Sequence, residues 1–174
     1  MRAAFALWLT GLPASGKSAI ARALLSRLHE RGIDAAALES DVLRTQLTPF
    51  PRYDEAEREL FHAAITELGA FLCGKGVPVV FDATGNRRAF RDAARRRIAR
   101  FAEIYVDTPL EICAARDPKG LYRAAREGKS SALPGAQSPY EPPLAPEFVV
   151  RGGVVTPAAA AEDIAAFLER RAWL

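Results

Sequence analysis

The sequence predicts an α/β fold, a parallel five-stranded sheet with helices on both faces, and three observations carry that expectation. Short apolar runs alternate along the chain with segments whose apolar residues recur at helical spacing. Most connections between them are short, which favours right-handed crossovers that leave helices outside a buried sheet. The 174 residues are 49% hydrophobic and 26% charged, enough apolar material for a sizeable core. Residues 1–174 are therefore expected to form a single domain.

The first element is the apolar run Phe5–Thr10, read as a strand that ends in a Gly/Pro turn. Lys17–Arg31 follows as a helix, with Ile20, Leu24, Leu25 and Leu28 at helical spacing. Asp34–Glu39 reads as a strand, Asp54–Cys73 as a helix, and Val77–Phe81 as a buried strand bounded by Gly76-Val77-Pro78. A helix from about Arg88 to Arg100 and a strand from Ala102 to Val106 continue the alternation. Thr108 then predicts a helix cap with Pro109 in the first helical position. Glu147–Val150 supplies a last strand and Asp163–Arg171 a closing helix.

One stretch breaks this rhythm. Asp117–Pro146 is rich in Gly, Pro and Ser and too long for an inert connection in a compact domain. Its position between two core elements predicts a mobile lid rather than a linker.

Bulk properties narrow the function. Lys and Arg number 24 against 21 Asp and Glu, and a net charge of +3 is too small to imply a nucleic-acid partner. The arginines at 87, 88, 91, 95, 96, 97 and 100 form the only charge run, but helical periodicity spreads them around the circumference. Most of them read as a solvated face; Arg87 and Arg88, nearest a strand end, are the ones within reach of a phosphate or substrate. Cys73 and Cys113 sit in apolar stretches without zinc or redox spacing and read as buried reduced thiols. His29 and His62 have no matching partners, and neither is assigned to catalysis. No cleavage-site pattern and no bilayer-length apolar stretch is visible, so a cytoplasmic location without a membrane partner is expected.

The most specific motif is Gly11-Leu12-Pro13-Ala14-Ser15-Gly16-Lys17-Ser18, an eight-residue phosphate-binding loop between a strand and a helix. Glycines let backbone N–H groups turn toward a phosphate, Lys17 offers charge to the β- and γ-phosphates, and the Ser18 hydroxyl completes a Mg²⁺ shell. With Ala19 in the first helical turn, these residues form the expected ATP contact, and the fold becomes a P-loop NTPase fold. A chance Gly-rich turn is the bland alternative. The motif alone does not separate a kinase from a GTPase, an ATPase or a nucleotide sensor.

Acceptor residues are sought at the carboxyl ends of the other strands, which face the ligand crevice in such sheets. Glu39-Ser40-Asp41 ends one strand, and Asp41 is the favoured base or orienting group, with helix capping as the alternative. Arg44, one turn on, is placed to clamp an anionic substrate. Asp82 ends Val79-Val80-Phe81-Asp82 and resembles an acid that holds the magnesium shell through water; a plain strand-end turn residue is the alternative.

With these residues in view, the chain resembles the adenylylsulfate kinase family over nearly its whole length. The stretch Tyr105-Val-Asp-Thr-Pro-Leu-Glu-Ile-Cys-Ala-Ala-Arg-Asp-Pro-Lys-Gly-Leu-Tyr122 is its most specific part, and Ser138-Pro139-Tyr140-Glu141 matches the lid exit. The resemblance implies Mg²⁺-ATP as phosphate donor and the 3′-hydroxyl of adenylylsulfate, a small molecule, as acceptor. It implies that Arg116 and Lys119 lie over the nucleotides, that Thr156-Pro157 sits near the ATP adenine, that Tyr53 stacks on the acceptor and that Arg58 binds it. Departures gather where the acceptor binds: Phe61 replaces an Asn, Ala63 and Ala64 an arginine pair, Ala83-Thr84-Gly85-Asn86 a Phe-Ile-Ser-Pro segment, and Leu133 a lid phenylalanine. A kinase for another small-molecule hydroxyl and a non-catalytic nucleotide-binding regulator therefore stand as alternatives. A homodimer is left open.

Overall fold

The computed structural model describes residues 4–48, 50–52, 54–129 and 133–174. Its elements in chain order are β1 (Ala6–Thr10), α1 (Lys17–Glu30), β2 (Ala36–Glu39), α2 (Ser40–Leu47), α3 (Glu55–Gly74) and β3 (Val79–Asp82). There follow α4 (Arg88–Arg97), β4 (Phe101–Asp107), α5 (Leu110–Arg116), α6 (Leu121–Arg126), β5 (Phe148–Arg151) and α7 (Pro157–Arg170). The strands form one parallel sheet in the order β2-β3-β1-β4-β5.

The period of two along β1 explains the layers, because alternate side chains leave opposite faces of a strand. Leu7 and Leu9 enter a core with Ile20, Leu24 and Leu28 of α1 and with Ile164 and Leu168 of α7. Ala6 and Trp8 enter a second core with Phe61 and Ile65 of α3 and Ala94 of α4. Both faces of the central strand are thus dry, and all five β1 residues are buried.

The expected strands are all present, with ends shifted by one or two residues. Five helical features differ from the sequence reading. The segment after β2 is helical as α2, although it buries none of its residues. A further short helix, α6, lies inside the stretch read as lid. The last helix begins at Pro157 rather than Asp163, since Thr156 accepts a hydrogen bond from the Ala159 N–H and proline occupies the first turn. Thr108 does not cap α5: Pro109 holds the cap position, and the Thr108 hydroxyl donates to the Ser15 carbonyl (2.8 Å). Helix α4 also stops at Arg97, where Ile98 becomes extended.

Most of the arginine run is solvent-facing as expected, with Arg96 and Arg97 exposed, but Arg91 is not. Arg91 is 1% exposed and pairs with Glu103 of β4, while Arg95 pairs with Glu147 and Arg97 with Glu67. Arg87 and Arg88 are likewise held by protein groups, Arg87 by Glu55 and Glu59 and Arg88 by Glu141 and the Pro142 carbonyl. Glu103, a carboxylate in an otherwise apolar strand, was the available signal that one arginine had to be buried with it. Cys73 and Cys113 are free thiols, and burial raises the pKa of both. Among the described residues no helix is long and apolar enough to cross a membrane.

Candidate active site

The register pairs Leu9 with Asp82 of β3 and with Ile104 of β4, so the loop after β1 emerges at the carboxyl edge of the central strand, beside Asp82. A Cβ on Gly11 would lie 2.5 Å from the Val106 carbonyl oxygen, which excludes any larger residue. Gly16, at φ 108°, supplies the left-handed turn that starts α1 without a side-chain cap. The first N–H groups of α1 therefore point into the loop, an arrangement that attracts anions. Ala14 also adopts a positive φ of 61°.

Lys17 is 7% exposed and folds back on the loop, its Nζ donating to the carbonyls of Gly11 (3.0 Å) and Leu12 (2.8 Å). Burial lowers its pKa to about 8, opposed by the negative charges of Asp82 and Asp41. At neutral pH the ammonium form still predominates. Ser18 is half-buried in the same turn, and Asp82 is buried. Hydroxyl and carboxylate form an all-oxygen pair, which suits Mg²⁺ because that ion keeps several waters and takes its other ligands from phosphates. Among the described residues no group of three or more His, Cys, Asp or Glu side chains is arranged to hold a metal by itself.

The flank of the loop is built by α5 and the turn after β5. Arg116 Nη1 donates to the Ser15 carbonyl (3.4 Å), and a Cβ on Gly153 would lie 3.8 Å from Arg116 Nη2. The Thr156 hydroxyl, expected near the nucleotide, caps α7.

On the other side Asp41 occupies the first turn of α2, and its carboxylate pairs with Lys119 just before α6. It does not cap α2, because the cap position belongs to Glu39 and no side chain bonds there. Arg44 lies over the Phe61 ring (4.0 Å to the centroid) and pairs with Glu57 at 3.1 Å. Glu57 also accepts the Arg52 N–H at 2.5 Å, so one carboxylate ties α2 to the chain entering α3. Arg58, also on α3, contributes positive charge near His62. Tyr53 lies outside the described residues.

Leu133 is buried in a cluster with Cys113 and Tyr122, against which Leu12 and Ala14 of the phosphate loop pack. The Tyr122 hydroxyl donates to the Pro13 carbonyl (2.9 Å), another contact between the 117–146 segment and the loop. Sequence reasoning brought Lys17, Ser18, Asp41, Asp82 and Arg116 to one crevice. It missed Glu57, and it named Tyr122 only as the end of the family-like stretch, without its contact to the loop.

A phosphate loop at the carboxyl edge of a central parallel strand, with a buried lysine and a strand-end acid beside it, defines the P-loop NTPase class. The family model described as adenylylsulphate kinase matches residues 3–151, and the chain belongs to that kinase family. An adenylyl-sulfate kinase of Rippkaea orientalis is 38% identical over 150 residues, covering 86% of this chain and 83% of the relative. A probable adenylyl-sulfate kinase of Archaeoglobus fulgidus is 36% identical over 146 residues, covering 84% and 94%. The solved structure of Mycobacterium tuberculosis APS kinase CysC in complex with AMPPNP and APS superposes with a TM-score of 0.91 at 32% identity, over 97% of this chain and 99% of that one.

Proposed function

We propose that this chain transfers the γ-phosphoryl group of Mg²⁺-ATP to the 3′-hydroxyl of adenylylsulfate, giving 3′-phosphoadenylylsulfate and ADP. The observation that carries the reading is the pairing of Asp41 with Lys119 opposite a phosphate loop whose buried lysine feels both Asp41 and Asp82. A phosphate loop, a positive charge and a candidate base thus meet in one crevice. The match across the family and the M. tuberculosis relative solved with AMPPNP and APS support the same substrates.

The loop N–H groups and the α1 terminus bind the β-phosphate, and Lys17 leaves the Gly11 and Leu12 carbonyls for the phosphate oxygens. Ser18 and Asp82 would hold Mg²⁺, which supplies charge neutralisation between the phosphates. Asp41 orients the acceptor hydroxyl and accepts its proton, while Lys119 and Arg116 neutralise charge on the transferring group. Arg44, Arg58 and Tyr53 bind the acceptor; Leu133 helps to cover the site; Thr156 frames the adenine end. Residues 1–174 work as one domain with the 117–146 segment as lid, which excludes water from the transfer.

A second reading keeps the chemistry and changes the acceptor to another small-molecule hydroxyl. The Phe61 ring under Arg44 favours it, because an aromatic ring there offers the acceptor no hydrogen bond. ADP release from Mg²⁺-ATP is measured with adenylylsulfate, without it, and with a panel of sugars, nucleosides and hydroxy acids, with the product identified by mass. Release that depends on adenylylsulfate and yields the 3′-phosphorylated product is the expected result. Release that depends on another panel member installs the second reading, and ADP release indifferent to every acceptor overturns both.

A further inference from the structure

The junction between the phosphate loop, the turn after β3 and the exit of the 117–146 segment has no role in the steps above. Thr10, the last residue of β1, is fully buried, and its hydroxyl donates to the Thr84 carbonyl at 2.6 Å. The same oxygen lies 3.1 Å from the Tyr140 hydroxyl. A threonine hydroxyl has one proton, and a carbonyl can only accept. The Thr10 proton is therefore committed to Thr84, and Tyr140 must be the donor to Thr10. Burial raises the Tyr140 pKa to about 12, which keeps that proton in place at physiological pH.

The bonds around this chain make its ends rigid. Asn86 Nδ2 donates to the Pro139 carbonyl (3.1 Å), and the Glu141 N–H donates to the Asn86 carbonyl (2.8 Å). The Arg88 N–H reaches the Glu141 carboxylate (2.7 Å), and Arg91 donates to the carbonyls of Gly85 and Glu141 (2.6 Å to the latter). The Tyr140 ring has the Arg91 guanidinium 5.9 Å from its centroid and the Tyr105 ring at 6.5 Å. Thr10 precedes Gly11, and Thr84 follows Asp82 by two residues, so the chain joins the two places where phosphate and Mg²⁺ are proposed to bind.

We propose that Thr10 and Tyr140 are positioning residues for phosphoryl transfer: the directed chain Tyr140 O–H to Thr10 Oγ1 to Thr84 C=O holds the phosphate loop, the Asp82 turn and the lid exit in one geometry. It rests on the reading of Gly11–Ser18 as the ATP phosphate site. Transfer depends steeply on placement, so small displacements at this junction are felt in rate rather than in fold.

The test compares wild type with Tyr140→Phe, Thr10→Val and Thr10→Ser in steady-state transfer, acceptor-independent ATP hydrolysis, ADP affinity and thermal melting. Tyr140→Phe removes one oxygen and is expected to lower kcat about tenfold. It should also raise the hydrolysis-to-transfer ratio about threefold, with a melting temperature lower by only about 2–4 °C. Thr10→Val should do the same and weaken ADP binding about fivefold, while Thr10→Ser, which keeps the hydroxyl, restores wild-type values.

Lowered melting temperature with kcat, ratio and ADP affinity all unchanged would make the chain merely structural and overturn the proposal. If Thr10→Val does not fold, Tyr140→Phe alone decides. If the wild type turns over no adenylylsulfate, the functional reading fails separately, and ADP affinity and hydrolysis of the same variants still decide for or against positioning.

Discussion

The nucleotide wall and the acceptor wall of the proposed reaction are built on different principles. On the nucleotide wall, backbone and burial do the holding: β1 is dry on both faces, Lys17 is buried, and Gly11 fits because the Val106 carbonyl leaves no room for a Cβ. On the acceptor wall, α2 buries no residue, and long side chains hold the parts together, Asp41 to Lys119 and Arg44 to Glu57 and Phe61. A wall made of backbone keeps its chemistry across many sequences. A wall made of side chains is where substrate choice changes with few substitutions.

The sharpest way to break this contrast is Asp41→Asn. Because Asp41 pairs with Lys119 and reaches Lys17 only through its charge, transfer should fall by about 10²–10⁴ while nucleotide affinity changes little, read by single-turnover kinetics and calorimetry. Lys17→Ala acts on the nucleotide wall and should lower the transfer rate by about 10²–10³, weakening ATP binding as well. Equal effects of the two variants on nucleotide affinity would erase the distinction.

Arg91→Met tests the packing behind the acceptor wall. It leaves Glu103 only the longer pair with Arg95 (3.5 Å) and should cost about 2–3 kcal/mol of stability in urea denaturation. His62, stacked on Phe90 at 4.3 Å with its Nδ1 lacking a hydrogen-bond partner, gives the wall an acid weakness. Burial, aided by the charges of Arg44, Arg58 and Arg91, lowers its pKa to about 3. The unfolded chain therefore binds the extra proton below about pH 6.5, and stability present above that pH is lost as pH falls toward 3. Roughly 2 kcal/mol should disappear between pH 7 and pH 5, and His62→Phe should flatten that slope. The smallest effect expected is from Thr156→Ala, which removes the α7 cap and should cost about 1 kcal/mol, visible in melting curves.

The nucleotide wall was legible in the sequence because its geometry is dictated by glycine spacing and by a strand that hands directly to a helix. The same holds for the middle of the sheet, where β1, β3 and β4 announced themselves by buried apolar runs. Helix α2 was legible only as a candidate cap at Asp41: Leu43 alone packs on the core, too little for an apolar period. The α7 start was missed although Thr156-Pro157 is a cap followed by proline, because the small alanines that follow gave a weak periodic signal. Glu103 signals that some arginine is buried with it, but that the partner is Arg91, and that Tyr140, Thr10 and Thr84 form a chain, depends on residues 12 to 130 apart that local sequence does not pair. The acceptor wall shares that difficulty, since Arg44 meets Glu57 and Phe61 only after α2 and α3 have packed.

The most direct test of the whole account follows γ-labelled ATP through one turnover, with adenylylsulfate and without it, in wild type and in Asp41→Asn. The account predicts label on the 3′-hydroxyl of adenylylsulfate in the wild type, and a variant that binds the nucleotide equally well yet transfers it at least about a hundredfold more slowly. Label appearing as inorganic phosphate at the same rate whether or not adenylylsulfate is present, or a variant as fast as the wild type, would contradict it.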